Sequence, residues 1–230
     1  WLAILGVAAL RGAGAEEAIF EAHAGVIGNV GFLGIPMLTL LLGPGAVGPL
    51  LLVLAVDLIV FSSLLTMIIS GLRAGGISRG IFGVLALGLG RNPMIVSIAL
   101  GLGWGATGLE LAPPLQEFLG LLGSAATPCA LFAIGASLAG RHPERPATAI
   151  WITLCKLVLH PGAAALACLA LQVTPESARV MIAAAALPVA GNVFILAQHY
   201  GVVPERISTA ILVSTAASVL TVTWVIALIG

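Results

Sequence analysis

Residues 18–42 form an apolar run long enough to cross a bilayer, and in its middle stands Gly28-Asn29-Val30-Gly31-Phe32-Leu33-Gly34-Ile35-Pro36. Its glycines strip side-chain cover from the backbone and Pro36 removes a donor, so an ordinary helix cannot pass straight through. In water such a stretch would read as a loop. Inside a membrane, irregular backbone persists only where protein or an aqueous cavity satisfies its polar groups. The stretch is therefore expected to be the broken middle of a membrane-spanning helix. A counterpart lies far downstream, in Pro188-Val189-Ala190-Gly191-Asn192-Val193-Phe194-Ile195-Leu196, where Gly191-Asn192-Val193 repeats Gly28-Asn29-Val30. Asparagine occurs only at positions 29, 92 and 192, so two of them in matching apolar contexts carry more weight than the glycines and valines around them. Paired interruptions in two halves of a membrane chain point to the binding site of a secondary transporter.

The composition demands a membrane setting. Of the 230 residues, 60% are hydrophobic and 8% are charged, with a mean hydropathy of +1.18, whereas a soluble domain carries about 25% charged residues. The apolar runs are continuous rather than short and alternating, which excludes a β-barrel and leaves an all-α polytopic membrane protein. A net charge of zero gives nucleic acid no electrostatic hold. Cys129, Cys155 and Cys168 lack CxxC spacing and read as buried helix residues. The histidines are too scattered for a metal-binding pair, and Gly101-Leu102-Gly103-Trp104-Gly105 lacks the preceding strand of a nucleotide loop, so neither metal nor cofactor is expected. Gly101 and Gly105 read instead as sites of close helix packing.

A span needs about 20 apolar residues. Residues 1–10 are the tail of one span, and 18–42 and 178–200 are the two broken spans. The others fall at 49–71, 93–107, 115–139 (with a kink expected at Pro128), 147–171 and 207–229, and an interfacial helix is expected at 81–90. The connections on one side carry Arg11, Arg73, Arg79, Arg91, Arg141, Arg145 and Arg206, while the other side carries only Arg179. That bias assigns the basic side to the cytoplasm and the C-terminus to the outside of a cytoplasmic (inner) membrane. Each arginine is read as a solvated loop residue. Residues 93–230 form a complete repeat of five spans with its break in the fourth. Residues 1–72 form an incomplete first repeat with its break in the next-to-last span, and 73–92 join the two. Equal halves would need two further spans before Trp1, and an odd number of spans per repeat inverts the second half in the membrane.

Several motifs now resemble one family. Gly28-Asn29-Val30-Gly31-Phe32-Leu33-Gly34-Ile35-Pro36 is similar to the fourth-helix motif of the auxin efflux carrier family, whose bacterial members include malonate and malate permeases. Asn92-Pro93, the run from Thr127-Pro128-Cys129 to Ser137-Leu138-Ala139, Lys156-Leu157-Val158-Leu159-His160-Pro161, and Pro188 to Val193 follow in the matching order. The resemblance implies ten helices in two inverted five-helix repeats, with broken helices four and nine crossing. That plan is shared by sodium/proton antiporters and bile-acid symporters. It further implies a scaffold part and a moving part, usually in a homodimer, and a chain here that lacks the first two to three helices.

Two inverted broken helices crossing at the midplane would aim two half-helix N-termini at one point, where free N–H groups and the helix dipoles bind anions. Asn29 and Asn192 either donate to a carboxylate or satisfy backbone freed by the breaks. Gly28 and Gly191, flanked by Val30 and Val193, would let a ligand approach the backbone, while Pro36 and Pro188 would keep the helices from closing the gap. Lys156 and Asp57 read as the ionisable residues deep within spans, at a cost of about 3 kcal/mol each at the bilayer centre. Three roles are open to Lys156: attracting the anion, replacing a coupled cation, or pairing with helix ends or Asp57. Asp57 stands nearer the outer end, and His160 reads as filling a kink before Pro161. The expected function is a secondary carrier for a small organic anion, a carboxylate or dicarboxylate. The alternatives are a sodium-coupled bile-acid-type symporter, which the lack of a carboxylate beside either break disfavours, and a membrane sensor or structural domain. An intramembrane enzyme would need paired catalytic groups. Asp57 is solitary and Ser137 has no histidine at helical spacing, so an enzyme is not expected.

Overall fold

A computed structural model describes residues 1–76, 79–138 and 145–229. Among these the secondary structure is helical, in the order α1 Leu2–Leu10, α2 Ala15–Ala24, α3 Val30–Leu42, α4 Pro44–Ala74, α5 Arg79–Arg91 and α6 Pro93–Thr107. It continues with α7 Pro113–Leu138, α8 Pro146–Ala170, α9 Pro175–Ala185, α10 Gly191–Tyr200 and α11 Pro204–Ile229. Six of these helices begin on proline, whose fixed φ suits the first turn and whose missing N–H would be unpaired there anyway. Gly75 and Gly201 end α4 and α10 in the left-handed region, at φ 72° and 68°, where a side chain would be strained. Helices α4, α8 and α11 are long and apolar enough to cross a membrane. Much of their surface is large and apolar, as at Leu52, Val158, Leu220 and Trp224, the exterior a helix presents to lipid rather than to water.

The expected spans coincide with these helices, with particular differences. The polar connection at 11–17 is shorter than expected, because α2 already starts at Ala15 and puts Glu16 and Glu17 in its first turn, where acidic side chains favour the dipole. Thr174 precedes α9 as expected but makes no side-chain capping bond. Cys155 and Cys168 are buried while Cys129 is exposed, and all three are free thiols. A Cβ at Gly101 or Gly105 would meet nothing within 4 Å among the described residues of its unit, so neither glycine serves close packing there. Arg141 and the rest of 139–144 lie outside the described residues.

The chain divides into two compact units, one of Trp1–Leu54 with Ala133–Gly230 and one of Ala55–Phe132. In the first, Ile4, Ala22 and Cys155 form a buried cluster under Trp1, Leu5, Val26 and Trp151, which joins α1, α2 and α8. A second cluster sets Ala186, Val222 and Val225 against Met37, Ile182 and Ile226, joining α3, the end of α9 and α11. In the other unit, Asp57 is 8% exposed and lies in a π-wound stretch, Val56–Phe61, where its carbonyl accepts the Ser62 hydroxyl proton.

One end of the first unit holds a buried ionic cluster. Arg206, at the start of α11, donates to Glu17 Oε2 at 3.0 Å and to Glu21 Oε1 at 2.8 Å. Glu21 also pairs with Arg11, whose other nitrogen donates to Thr148 Oγ1 at 2.9 Å. The cluster corrects the reading of Arg206 as solvated, since Arg206 and Glu21 are each only 1% exposed, whereas Arg73, Arg91, Arg145 and Arg179 are exposed as expected. It also corrects the view of Lys156 and Asp57 as the deep ionisable residues, because Glu21 and His23 are buried within α2. The cause is the early start of α2. Glu17 and Glu21 stand four residues apart on one helical face, so a single arginine reaches both. The contacts bring Arg11, the first turn of α8 and the start of α11 together around Glu21.

Candidate functional site

The breaks lie at 25–29 and 186–190, and they touch. Asn29 N–H donates to the Pro188 carbonyl at 2.9 Å, and Ala190 N–H donates to the Ile27 carbonyl at 3.1 Å, which makes an antiparallel bridge between Gly28 and Val189. Each interruption thus satisfies buried backbone groups of the other. Ser214 of α11, itself fully buried, supplies one more partner by accepting from Val189 N–H at 3.1 Å. The first motif is not broken along its whole length, however. Its gap ends at Asn29, whose carbonyl accepts from both Leu33 and Gly34 N–H in a π turn over Val30–Gly34, and Gly31 to Pro36 are helical.

Two π turns flank the crossing, and both precede a proline by two residues. Val30–Gly34 comes before Pro36, and Cys155–Leu159 comes before Pro161. A proline ring cannot donate and crowds the carbonyl four residues back, so widening the preceding turn relieves the clash without ending the helix. The second π turn carries Lys156 to the crossing. Its Nζ donates to the Ala185 carbonyl at 2.5 Å and lies 3.0 Å from His160 Nδ1. A Cβ built on Gly28 would come within 3.2 Å of Nζ. Lys156 is fully buried.

This arrangement sorts the helix ends by charge. Helices α2 and α9 end at the gaps with their negative carbonyl poles, whereas α3 and α10 begin there with positive N–H poles. The Lys156 ammonium sits on the last carbonyl of α9, that of Ala185, and beside Gly28 in the segment that leaves α2, where it offsets the negative ends. The positive ends remain for an anion, which their N–H groups can bind without a dedicated arginine.

The sequence-derived residues divide accordingly. Gly28, Asn29, Val30, Pro188, Gly191, Asn192, Val193 and Lys156 lie at the crossing or within the first turn beyond it. Asn29 is 8% exposed, and Asn192 is half-buried with a buried Oδ1 that has no hydrogen-bond partner among the described residues. Pro36 is exposed on α3, and its effect reaches the crossing only through the π turn before it. Asp57 belongs to the other compact unit. His160 does more than fill a kink, since its ring meets both Lys156 and Ala185. The signal for it was the i, i+4 spacing from Lys156, which goes unnoticed when histidines are sought only in pairs. Ser214 had no local signal, being one of several hydroxyl residues on a uniformly apolar helix.

A family model described as "Membrane transport protein" matches residues 2–226. A protein of Rhizobium meliloti (strain 1021) named "Putative malonate transporter" is 37% identical over 222 residues, covering 93% of this chain and 68% of its own length. By kinship the chain is therefore an integral membrane transporter, and it belongs to the membrane transport protein family, the family of the auxin efflux carriers that its broken-helix motifs resemble.

Proposed function

We propose that the protein carries a small dicarboxylate of the malonate kind across the cytoplasmic membrane by alternating access, with the crossing as its substrate site. The observation that carries this reading is the backbone bridge between the two breaks, which brings two helix N-termini and one buried ammonium to a single place. Asn29 and Asn192 bind the carboxylates through their amides, and Gly28, Val30, Gly191 and Val193 admit the ligand to the backbone. Lys156 serves as a fixed cation at the helix C-termini, where a sodium-coupled carrier would draw a cation from solution. The relative's name supports malonate as the first substrate to try. Residues 1–72 and 93–230 act as inverted repeats, with the breaks at the membrane midplane, the arginine-rich connections in the cytoplasm and the C-terminus outside.

The test is uptake into proteoliposomes of radiolabelled malonate and a panel of other dicarboxylates. Malonate or a close homologue should accumulate, and unlabelled substrate should compete. Asn29→Ala and Asn192→Ala should each raise KM by about ten- to a hundredfold, the cost of roughly 1.5–3 kcal/mol for a hydrogen bond to a charged group. The double variant should fall short of the product of the two effects, because both amides touch one ligand. Wild-type protein that moves no member of the panel would overturn the substrate class. Full multiplicativity of the two asparagine effects would separate them into different sites.

A further inference from the structure

His160 stands in the site without an assigned part, and its contacts define one. Three atoms form a triangle at the end of α9: Lys156 Nζ is 2.5 Å from the Ala185 carbonyl oxygen and 3.0 Å from His160 Nδ1, and Nδ1 is 3.2 Å from the same oxygen. An ammonium has donors only, so toward Lys156 the ring nitrogen has to accept. That assigns the ring proton to Nε2 and leaves the Nδ1 lone pair facing Nζ. The ammonium therefore spans two acceptors of different origin. The carbonyl belongs to α9, at the edge of its break, whereas Nδ1 belongs to the helix that carries Lys156 itself. A lysine stem has four rotatable carbons and points wherever its acceptors hold it. The carbonyl holds Nζ to the end of α9. The added ring acceptor holds it to α8 as well.

Two features of the chain keep this triangle in register. The π turn Cys155–Leu159 ends immediately before His160 and sets the ring one turn beyond the lysine, on the same side of the helix. Pro161, buried behind it, maintains that turn. Gly28 closes the third side, since a Cβ there would reach 3.2 Å from Nζ and 3.3 Å from Cε, so no side chain intervenes between the ammonium and the first break.

We infer that His160 is the positioning residue for Lys156: its neutral Nδ1 accepts from Nζ and fixes the ammonium across the gap between α8 and the end of α9. This rests on the proposed reading of the crossing as the substrate site, and it deepens that reading by naming the group that aims the cation. It predicts a rule of substitution. A residue that places an acceptor where Nδ1 stands should preserve function, and one that does not should impair it even when the helix packs normally. Asn presents its amide oxygen at the same number of bonds from the backbone as Nδ1, whereas Ala presents nothing.

Lys156 is the only lysine in the chain, which permits a readout independent of transport. Protein carrying 15N at lysine Nζ, reconstituted in nanodiscs, should give one side-chain ammonium resonance. In wild type and in His160→Asn it should be sharp and nearly superimposable. In His160→Ala it should shift and broaden as Nζ samples several positions, and reaction of Lys156 with a small amine-directed reagent should quicken about tenfold. Dicarboxylate uptake should follow the same order, with KM raised about five- to tenfold in His160→Ala, restored to within about twofold of wild type in His160→Asn, and maximal rate changed less than KM. An unchanged lysine resonance and labelling rate in His160→Ala would overturn the positioning role. Equal losses in the Ala and Asn variants would do the same, since they would show that ring volume matters rather than the acceptor. The resonance and labelling experiments read the Lys156–His160 contact whatever the substrate is, so their failure is distinct from a failure of the dicarboxylate reading.

Discussion

The crossing and the ionic cluster both bury charge in one compact unit, but they neutralise it by different means. In the cluster, Glu21 faces two arginines and Arg206 faces two glutamates, so each charge rests on its opposite. At the crossing, the Lys156 ammonium rests on a backbone carbonyl at a helix end and on a ring nitrogen. The cluster ties helix starts together and depends on side chains alone. The Lys156 arrangement depends on where a helix stops, and so on the geometry of the break itself. A group held in that way responds when the two halves of a broken helix shift, whereas a cluster of mutually paired charges resists such shifts. On this comparison, damage to the cluster should be felt as lost stability, and damage to the crossing as lost transport in a folded protein.

The largest effect should follow Glu21→Ala. Removing this carboxylate takes a partner from both Arg11 and Arg206, and Arg206 is only 1% exposed. Deleting one member of a buried pair costs up to about 3–5 kcal/mol, because charge stays behind with less to compensate it, and here Arg206 keeps its bond to Glu17. The variant should give little monodisperse protein in detergent, and its melting should begin well below that of wild type. A thermal melt superimposable on wild type would remove the contrast between the two regions.

Lys156→Met should behave in the opposite way. The substitution keeps the stem and deletes the charge, so the protein should insert and melt near wild type. Anion uptake should drop by about ten- to a hundredfold, following roughly 1.5–3 kcal/mol of lost interaction with a charged ligand. Parallel measurement of melting and uptake decides the matter. A variant that unfolds without losing specific activity would place Lys156 with the structural charges.

Much of this was legible from residue type and order alone. The breaks announced themselves because glycine, asparagine and proline are costly inside an apolar helix, and the segments around them are bridged at Gly28 and Val189. Lys156 was legible for the same reason, since a lone ammonium in a span needs a purpose. Other features depend on distances that sequence does not carry. The extent of the first gap was decided by Pro36 acting through a π turn, which keeps Gly31 to Gly34 helical although their composition argues for a loop. Arg206 and Glu21 stand far apart in sequence and meet because α2 and α11 pack together, and charge counting sees only that each lies near the end of a span. His160 fell between the two cases, with a local spacing from Lys156 that was visible and a place beside the Ala185 carbonyl that was not.

The smallest effect, and the sharpest test of the contrast, is Gly28→Ala. Its backbone carries no left-handed strain, so the added methyl acts through contact alone. The new Cβ would meet Lys156 Nζ at 3.2 Å, Lys156 Cε at 3.3 Å and the Ala184 carbonyl oxygen at 3.3 Å. The lysine end can yield by a few tenths of an ångström, but the carbonyl belongs to the last turn of α9 and yields less readily. The ammonium should therefore be displaced from its place over Ala185 while the bridge between the breaks survives. About a threefold rise in KM for the anion is expected, equivalent to roughly 0.7 kcal/mol. Gly34→Ala supplies the comparison, because its Cβ would run into Leu187 Cδ1, the end of a flexible apolar side chain, at 2.6 Å. That change should lower the melting temperature through overpacking and leave KM near wild type. If Gly34→Ala raised KM as much as Gly28→Ala, pressure anywhere on the breaks would be enough to impair binding, and the special place given to the ammonium would be lost.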